Sequence, residues 1–316
     1  MNFGFWGKLN RPFFTLAPLA DVTDSAFRRI IAKYGKPEVF WTEFVSADGL
    51  MSPGKEVLLN DLKYTEAERP IVAQLFSGHP EKMFGAAKLC KESGFDGIDI
   101  NMGCPDKSVE KQCAGAALIK NPKLAKEIIR AAKSGAGDLP ISVKTRTGYN
   151  KDEIDAWIHA LLEEDLAALV IHLRTRKEMS LVPARWEDVA RVIKLRDKLK
   201  KKTLIIGNGD VKDLKDARLK AKQSGADGVM LGRAIFGNPW LFSEKVPDIK
   251  EKLSVMVEHT KLFEELLGSI KSFAIMKKHY KAYANGFDGA KELRVELMGT
   301  KNSQDVEGIV KKFLKE

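Results

Sequence analysis

Eight short apolar, β-rich runs with amphipathic helical patterns between them, followed by a stretch that is helical throughout, predict an α/β chain. The expected architecture is a (β/α)8 TIM barrel over residues 1–243 with a C-terminal all-helical domain over 244–316. Strands are expected at 13–16, 39–42, 71–75, 97–100, 141–144, 168–172, 203–206 and 228–231, each continuously apolar, as strands covered on both faces are. Helices are expected at 24–34 behind a Thr23/Asp24 cap, then at 81–93, 122–133, 154–163, 186–198 and 214–224. A doubly wound sheet also alternates, but it usually carries a glycine-rich dinucleotide turn after its first strand, and Ala17-Pro18-Leu19-Ala20 is not one. Past Trp240-Leu241-Phe242, helices are expected at 253–267, 270–284, 289–298 and 306–314. Asn285-Gly286 and Gly299 read as stops, and Ser303 as the cap of the last helix.

Composition narrows the class. A chain of 316 residues with 44% hydrophobic content can bury a sizeable core. A net charge of +10 favours a polyanionic partner, nucleic acid before an anionic membrane, against the bland reading of a lysine-rich solvated surface. The basic run 198–202 reads as a solvated helix end. No run approaches the ~20 apolar residues of a membrane helix, so no membrane association is expected. The opening Met1-Asn2-Phe3-Gly4-Phe5-Trp6 lacks the basic start and apolar stretch of a secretory signal. Cys90, Cys104 and Cys113 form no CxxC pair, which points to a reducing cytoplasm with neither a disulfide framework nor a metal site.

The polar residues at the strand ends carry the chemistry. Gly97-Ile98-Asp99-Ile100 runs into Asn101-Met102-Gly103-Cys104-Pro105, bringing an amide and a thiol to a strand's C-terminal edge, where such barrels do their chemistry. A thiol is a weak acid suited to giving up a proton near neutral pH. Gln74 ends the third strand, Lys144 and Arg146 the fifth; His172, Arg174 and Arg176 follow the sixth; Asn208, Gly209 and Asp210 the seventh; Gly232 and Arg233 the eighth. In a barrel all of these converge on one mouth. Taken singly, Lys144 could snorkel, His172 could be a core histidine and Gln74 a structural hydrogen-bonder. Cys90 sits on an amphipathic helix as a core residue. Small residues and an arginine after strands seven and eight form the usual phosphate site of such a barrel. A phosphate there, with Gln74 and Lys144 nearby, fits flavin mononucleotide (FMN).

In their order these motifs resemble the tRNA-dihydrouridine synthase (Dus) family. The resemblance runs through Leu16-Ala17-Pro18-Leu19-Ala20-Asp21-Val22-Thr23-Asp24, Thr42-Glu43-Phe44-Val45-Ser46-Ala47, Asp99-Ile100-Asn101-Met102-Gly103-Cys104-Pro105, Val143-Lys144-Thr145-Arg146, His172-Leu173-Arg174-Thr175, Gly207-Asn208-Gly209-Asp210-Val211 and Gly232-Arg233-Ala234 to Asn238-Pro239-Trp240. Met276-Lys277-Lys278-His279-Tyr280 and Glu292-Leu293-Arg294 resemble the family's helical tRNA-binding part. The resemblance implies FMN-dependent reduction of a uracil C5–C6 bond in tRNA, with NADPH recharging the flavin. Cys104 would give the proton to C5 opposite a hydride from flavin N5 to C6, and Asn101 would hold the uracil edge. Gln74, Lys144, His172, Asn208, Gly209, Asp210, Gly232 and Arg233 would hold FMN, with Ala17 and Pro18 beneath the ring. Arg146, Arg174 and Arg176 would face the substrate, and Lys277, Lys278 and Arg294 the RNA backbone. A monomer is expected. Leu19, Phe44 and Leu173 depart from the family's usual Met, Met and Gly; Leu173 is bulkier than glycine and leaves the shape of the mouth beside Arg174 open. The sixth-strand motif is closest to the bacterial B-type branch. Two other readings stand beside this one: an FMN reductase of a free pyrimidine, and a tRNA-binding module without turnover.

Overall fold

A computed structural model describes residues 2–315. Eight parallel strands, β1 (Phe13–Leu16), β2 (Phe40–Ser46), β3 (Ile71–Phe76), β4 (Gly97–Met102), β5 (Ile141–Arg146), β6 (Ala168–His172), β7 (Leu204–Asn208) and β8 (Gly228–Leu231), form one curled sheet in the order β1-β8-β7-β6-β5-β4-β3-β2. The predicted barrel is incompletely closed. Seven neighbouring pairs share full ladders, while β1 and the approach to β2 meet in a single bridge, Thr15 to Val39. The cause is local: the Glu38 carboxylate accepts the Phe14 N–H at 3.1 Å, taking a donor that a continuous ladder would use.

The predicted strands are all present, but several run further: β2 by four residues to Ser46, β3 by one to Phe76, and β4, β5 and β7 by two, through Met102, Arg146 and Asn208. Alternation explains the burial. Phe13, Trp41, Val72, Val170, Ile206 and Met230 fill the inside of the curl. A short turn at Gly4–Lys8 pushes Trp6 into the bottom of it, 5.8 Å from the rings of both Phe13 and Trp41. The opposite faces of the strands meet the surrounding helices in a second apolar shell.

Those helices are α1 (Ser25–Tyr34), α2 (Pro80–Glu92), α3 (Pro122–Ala136), α4 (Asp188–Lys198) and α5 (Leu214–Ser224). Asp24, Asn121 and Asp213 cap α1, α3 and α5 through their side chains, which fixes where each begins. The helix expected at 154–163 is a π-turn, Ile154–Ile158, leading into one α-turn, His159–Leu162; Trp157 on it donates to the Thr145 hydroxyl at 2.9 Å. The C-terminal region is helical as expected: α6 (Ile249–Leu267), α7 (Met276–Tyr283), α8 (Ala290–Met298) and α9 (Ser303–Phe313). Asn302, not Ser303, caps α9, because the Ser303 hydroxyl is engaged by Glu264. Among the described residues no helix is long and apolar enough to cross a membrane.

The C-terminal helices join the rest of the chain at α1. Glu258 accepts from both Lys33 (2.7 Å) and the Tyr34 hydroxyl (2.6 Å). Further along, Lys271 reaches the Glu43 and Asp61 carboxylates at 2.8 and 2.9 Å. Burial pulls the Lys271 ammonium down, but these carboxylates outweigh it and leave its pKa raised. Between these points Phe27 stacks on the His259 ring at 4.6 Å, and His279 stands edge-on to both.

Burial holds both imidazoles neutral, His259 well below its ordinary range and His279 pushed down to about 3. Below pH 6.5, and down to about 3 for His279, the unfolded chain binds protons that the folded one refuses, so stability falls as pH falls, by about 1.4 kcal/mol per unit for each ring. Asp24, pushed up to about 7 by burial and then by Glu43, works the other way. The histidine contribution is therefore a difference. Between pH 7 and 5, a His259→Phe/His279→Phe variant should lose about 3–4 kcal/mol less stability than the parent in urea titrations. Parallel pH profiles would mean that the rings take up protons in place.

Candidate active site

The polar floor of the site follows from strand alternation. On β3, β4 and β5 the residues Ala73, Leu75, Ile98, Ile100 and Val143 face the helices, which turns Gln74, Asp99, Asn101, Ser142, Lys144 and Arg146 inward. Register sorts these into layers: Gln74 beside Asp99 and Asp99 beside Ser142 below, Asn101 beside Lys144 above.

Over this floor, at the C-terminal ends of the strands, lies a cavity of about 570 Å³, a size suited to a cofactor. Ala17, Pro18, Gln74, Asn101, Cys104, Lys144 and Arg146 line one part of it; His172, Arg174, Asn208, Gly209, Asp210, Gly232 and Arg233 line the rest. The convergence expected from the sequence is thus present for these residues.

The Cys104 turn is fastened on every side. The Asn101 Oδ1 accepts the backbone N–H of Gly103 at 3.1 Å and of Cys104 at 2.9 Å. Arg146 Nε donates to the Gly103 carbonyl at 2.8 Å, and the Ala116 N–H to the Cys104 carbonyl at 2.9 Å. Burial raises the Cys104 pKa above the usual thiol value. At neutral pH that direction favours the protonated thiol, the state of an acid rather than of a thiolate nucleophile. Lys144 is pushed down to about 8 by burial and by Arg146, with Asp99 opposing, and is still mainly an ammonium at pH 7. Asp99 is pushed up to about 6 by burial, although hydrogen bonds from Ser142 and Gln74 favour its charged form.

On the far side, Arg174 Nη1 lies 3.0 Å from His172 Nε2. A guanidinium only donates, so Nε2 is the acceptor and the ring proton is assigned to Nδ1. Burial, then Lys144 and Arg146, lower the His172 pKa well below its ordinary range, giving a neutral N–H donor. Asp210 is bound by Arg174, by Arg233 at 2.8 Å and by the Ala184 N–H at 2.9 Å. Its carboxylate therefore organises two cations instead of meeting an anion itself. Gly209 has φ +132°, and a Cβ there would press to 2.8 Å on Ala184, so only glycine fits. A Cβ on Gly232 would meet only Ala17, at 3.7 Å, so its backbone faces open cavity.

Some expected residues lie elsewhere. Arg176 does not line the cavity; it pairs with Glu110 at 2.5 Å. Arg174 does line it, but is only 2% exposed, with its guanidinium engaged by the Val182 carbonyl, His172 and Asp210. It builds the rim rather than reaching beyond it. Leu173 is fully buried in the outer shell, so it does not crowd the mouth. Lys277, Lys278 and Arg294 stand on α7 and α8; Arg294 Nη1 donates to the Ala284 carbonyl at 2.7 Å. Sequence reading assigned no role to Asp99, Ser142, Ser180 or Lys212. The signal for Asp99 was available: a carboxylate at an inward position of an otherwise apolar strand.

The set suits FMN. The cavity has the size, the open glycine backbone and Arg233 offer an anion site, and Lys144 supplies a cation over the amide-lined floor.

A family profile described as dihydrouridine synthase (Dus) matches residues 15–316. A Bacillus subtilis (strain 168) protein described as "Probable tRNA-dihydrouridine synthase 2" is 43% identical over 319 aligned positions, covering 99% of this chain and 97% of the relative. A Staphylococcus aureus (strain MRSA252) protein described as "Probable tRNA-dihydrouridine synthase" is 42% identical, covering 99% and 96%. Among solved structures, histamine dehydrogenase from Rhizobium sp. 4-9 aligns with TM-score 0.54 and 13% identity, over 79% of this chain and 48% of that one. A 2-naphthoyl-CoA reductase complex aligns with TM-score 0.57 and 12% identity, over 73% and 49%. These two likenesses are of fold.

Proposed function

The chain belongs to the dihydrouridine synthase family, flavin-dependent oxidoreductases that modify tRNA uridine, and from that premise we propose that it reduces uridine to 5,6-dihydrouridine with Cys104 as the acid. The carrying observation is that the Cys104 turn is fastened through its backbone at the cavity that Lys144 and the open glycine backbone also line, where burial favours the protonated thiol. We read the curled sheet as a TIM barrel, residues 1–243 as the catalytic part and residues 244–316 as the tRNA-binding part, in a cytoplasmic monomer.

FMN, once bound and recharged by NADPH, would supply the hydride for reduction of the uracil C5–C6 bond. Gly209, Gly232 and Arg233 would hold its phosphate, with Asn208 and the His172 N–H available beside them and Asp210 steadying Arg233. Ala17 and Pro18 would support its ring, and Gln74 and Lys144 would hold its polar edge, where the ammonium would offset negative charge. Asn101 holds the uracil edge. Cys104 gives its proton to C5 and regains one from solvent. Arg146 acts through the turn, by its bond to the Gly103 carbonyl. A uridine reaches this mouth only when unstacked from the folded RNA.

Anaerobic titration tests the reading. NADPH should bleach the flavin, and unmodified tRNA should restore the colour with dihydrouridine formed. A reduced flavin that free uracil or orotate reoxidises and tRNA does not would overturn it.

The RNA grip is assigned to Lys277, Lys278 and Arg294, because Lys271 anchors the segment before α7 to the rim at Glu43. Lys277→Ala/Lys278→Ala should weaken tRNA binding and flatten the log–log salt dependence by a slope of roughly 1.5–2. An unchanged slope would place the phosphates elsewhere.

A further inference from the structure

Beneath the catalytic groups, and outside the cavity lining, lie Asp99 and Ser142, both fully buried. Asp99 accepts from Gln74 Nε2 at 2.7 Å and from the Ser142 hydroxyl at 2.5 Å. Gln74 Oε1 in turn accepts from Asn101 Nδ2 at 3.1 Å. Asn101 Oδ1 accepts the backbone N–H groups of Gly103 and Cys104. The chain of bonds runs without a break from a buried carboxylate to the backbone of the acid.

We infer that Asp99 is a positioning residue: it fixes the direction of the Gln74–Asn101 amide chain, and through it both the Cys104 turn and the kind of hydrogen bond the cavity floor offers. Two carboxamides can each be turned two ways, so the chain has a direction only if its ends impose one. Here both do. An ionised carboxylate only accepts, and a backbone N–H only donates. With the ends so fixed, each amide between them has one orientation that satisfies both neighbours. Reversing either would set oxygen against oxygen or N–H against N–H in a buried site.

The direction has a chemical consequence. Each amide NH2 has spent one hydrogen within the chain and keeps one more, while the Asn101 oxygen has both lone pairs taken and the Gln74 oxygen one of its two. Together with the Lys144 ammonium, the floor therefore presents donors. Such a floor suits rings that carry carbonyl oxygens at their edge and disfavours rings that carry an exocyclic amine. This extension to ring choice rests on the proposed uridine reduction; the positioning of Cys104 does not.

The test compares Asp99→Val, an apolar side chain of similar bulk that removes the acceptor, with the near-isosteric Asp99→Asn, whose oxygen can still accept from Gln74. Two readouts separate the claims. In a Cys113→Ser background, the alkylation rate of Cys104 by iodoacetamide should change at least 5-fold in Asp99→Val and stay within 2-fold in Asp99→Asn. In the flavin-loaded proteins reduced with dithionite, reoxidation by tRNA should slow 10- to 100-fold in Asp99→Val and within 3-fold in Asp99→Asn, per bound flavin. A merely structural Asp99 would shift the melting temperature of Asp99→Val and leave both rates unchanged, which would overturn the inference. Equal rate changes in both variants would overturn it too, since the charge and not the chain direction would then matter. Failure of tRNA to reoxidise even the parent would count against the uridine reading alone, and the alkylation rates would still decide on Asp99. If Asp99→Val does not fold, Ser142→Val removes the second donor on the carboxylate and should change the alkylation rate 2- to 5-fold; an unchanged rate would refute the inference.

Discussion

Cys104→Ala protein should remain yellow, bind tRNA as the parent does, and lose turnover by roughly 10²–10⁴-fold, the usual worth of a positioned acid. The retained binding follows from the turn. It is held by Asn101, Arg146 and Ala116 through backbone atoms, and none of those bonds uses the sulfur. Loss of the thiol removes a proton source that burial favours in its protonated state at neutral pH. The discriminating measurement is the reoxidation of reduced flavin by tRNA, set against the rate of its reduction by NADPH. Only the first should fall. If both fall together, the substitution has disturbed the cavity, and if neither falls, the proton comes from another group.

Glu68→Ala should destabilise the fold by about 3–5 kcal/mol, the cost of leaving one charge of a buried pair without its partner. Arg28 on α1 and Glu68 before β3 are both fully buried, with Arg28 Nε 2.7 Å from the Glu68 carboxylate. The remaining guanidinium donors reach the Thr23 and Lys63 carbonyls at 2.9 and 2.6 Å, and Glu68 accepts the Thr65 N–H at 2.8 Å. Urea titration followed by circular dichroism gives the loss. An Arg28→Met/Glu68→Leu double variant should recover most of it, because a well-packed apolar pair carries no desolvation cost. A loss below 1 kcal/mol in Glu68→Ala would mean that Arg28 finds another acceptor.

The order of strands and helices was legible because each strand announces itself as an apolar run and each helix by its cap and period. The strand ends were less so. Asn101 and Arg146 are polar, and on sequence alone polarity reads as loop; inside a curled sheet the same polarity lines the mouth. Arg174 and Arg176, two residues apart, were both expected to face the substrate. That spacing gives one face only while the chain remains extended, and β6 ends at His172. Beyond it Arg176 turns away to Glu110. Leu173, whose effect the sequence left open, packs into the apolar shell around the strands. The Asp99–Ser142 bond joins residues 43 apart on neighbouring strands, and only the register brings them level.

Seven full ladders and one two-bond seam make the sheet, in mechanical terms, a split ring. A closed hoop resists widening all round, whereas a split one flexes at its gap. The gap here falls between the strand leading to Ala17 and Pro18 and the strand carrying Glu43 and Phe44, and Ala17, Pro18 and Phe44 all line the cavity. Its two lips are pinned by the Asp21 N–H on Glu43 at 2.6 Å, and Lys271 reaches across from outside to Glu43 and, at 3.7 Å, to Asp21. The C-terminal region is thus a clip over the gap, and the segment leading to α7 is coupled through one lysine to the bore of the ring.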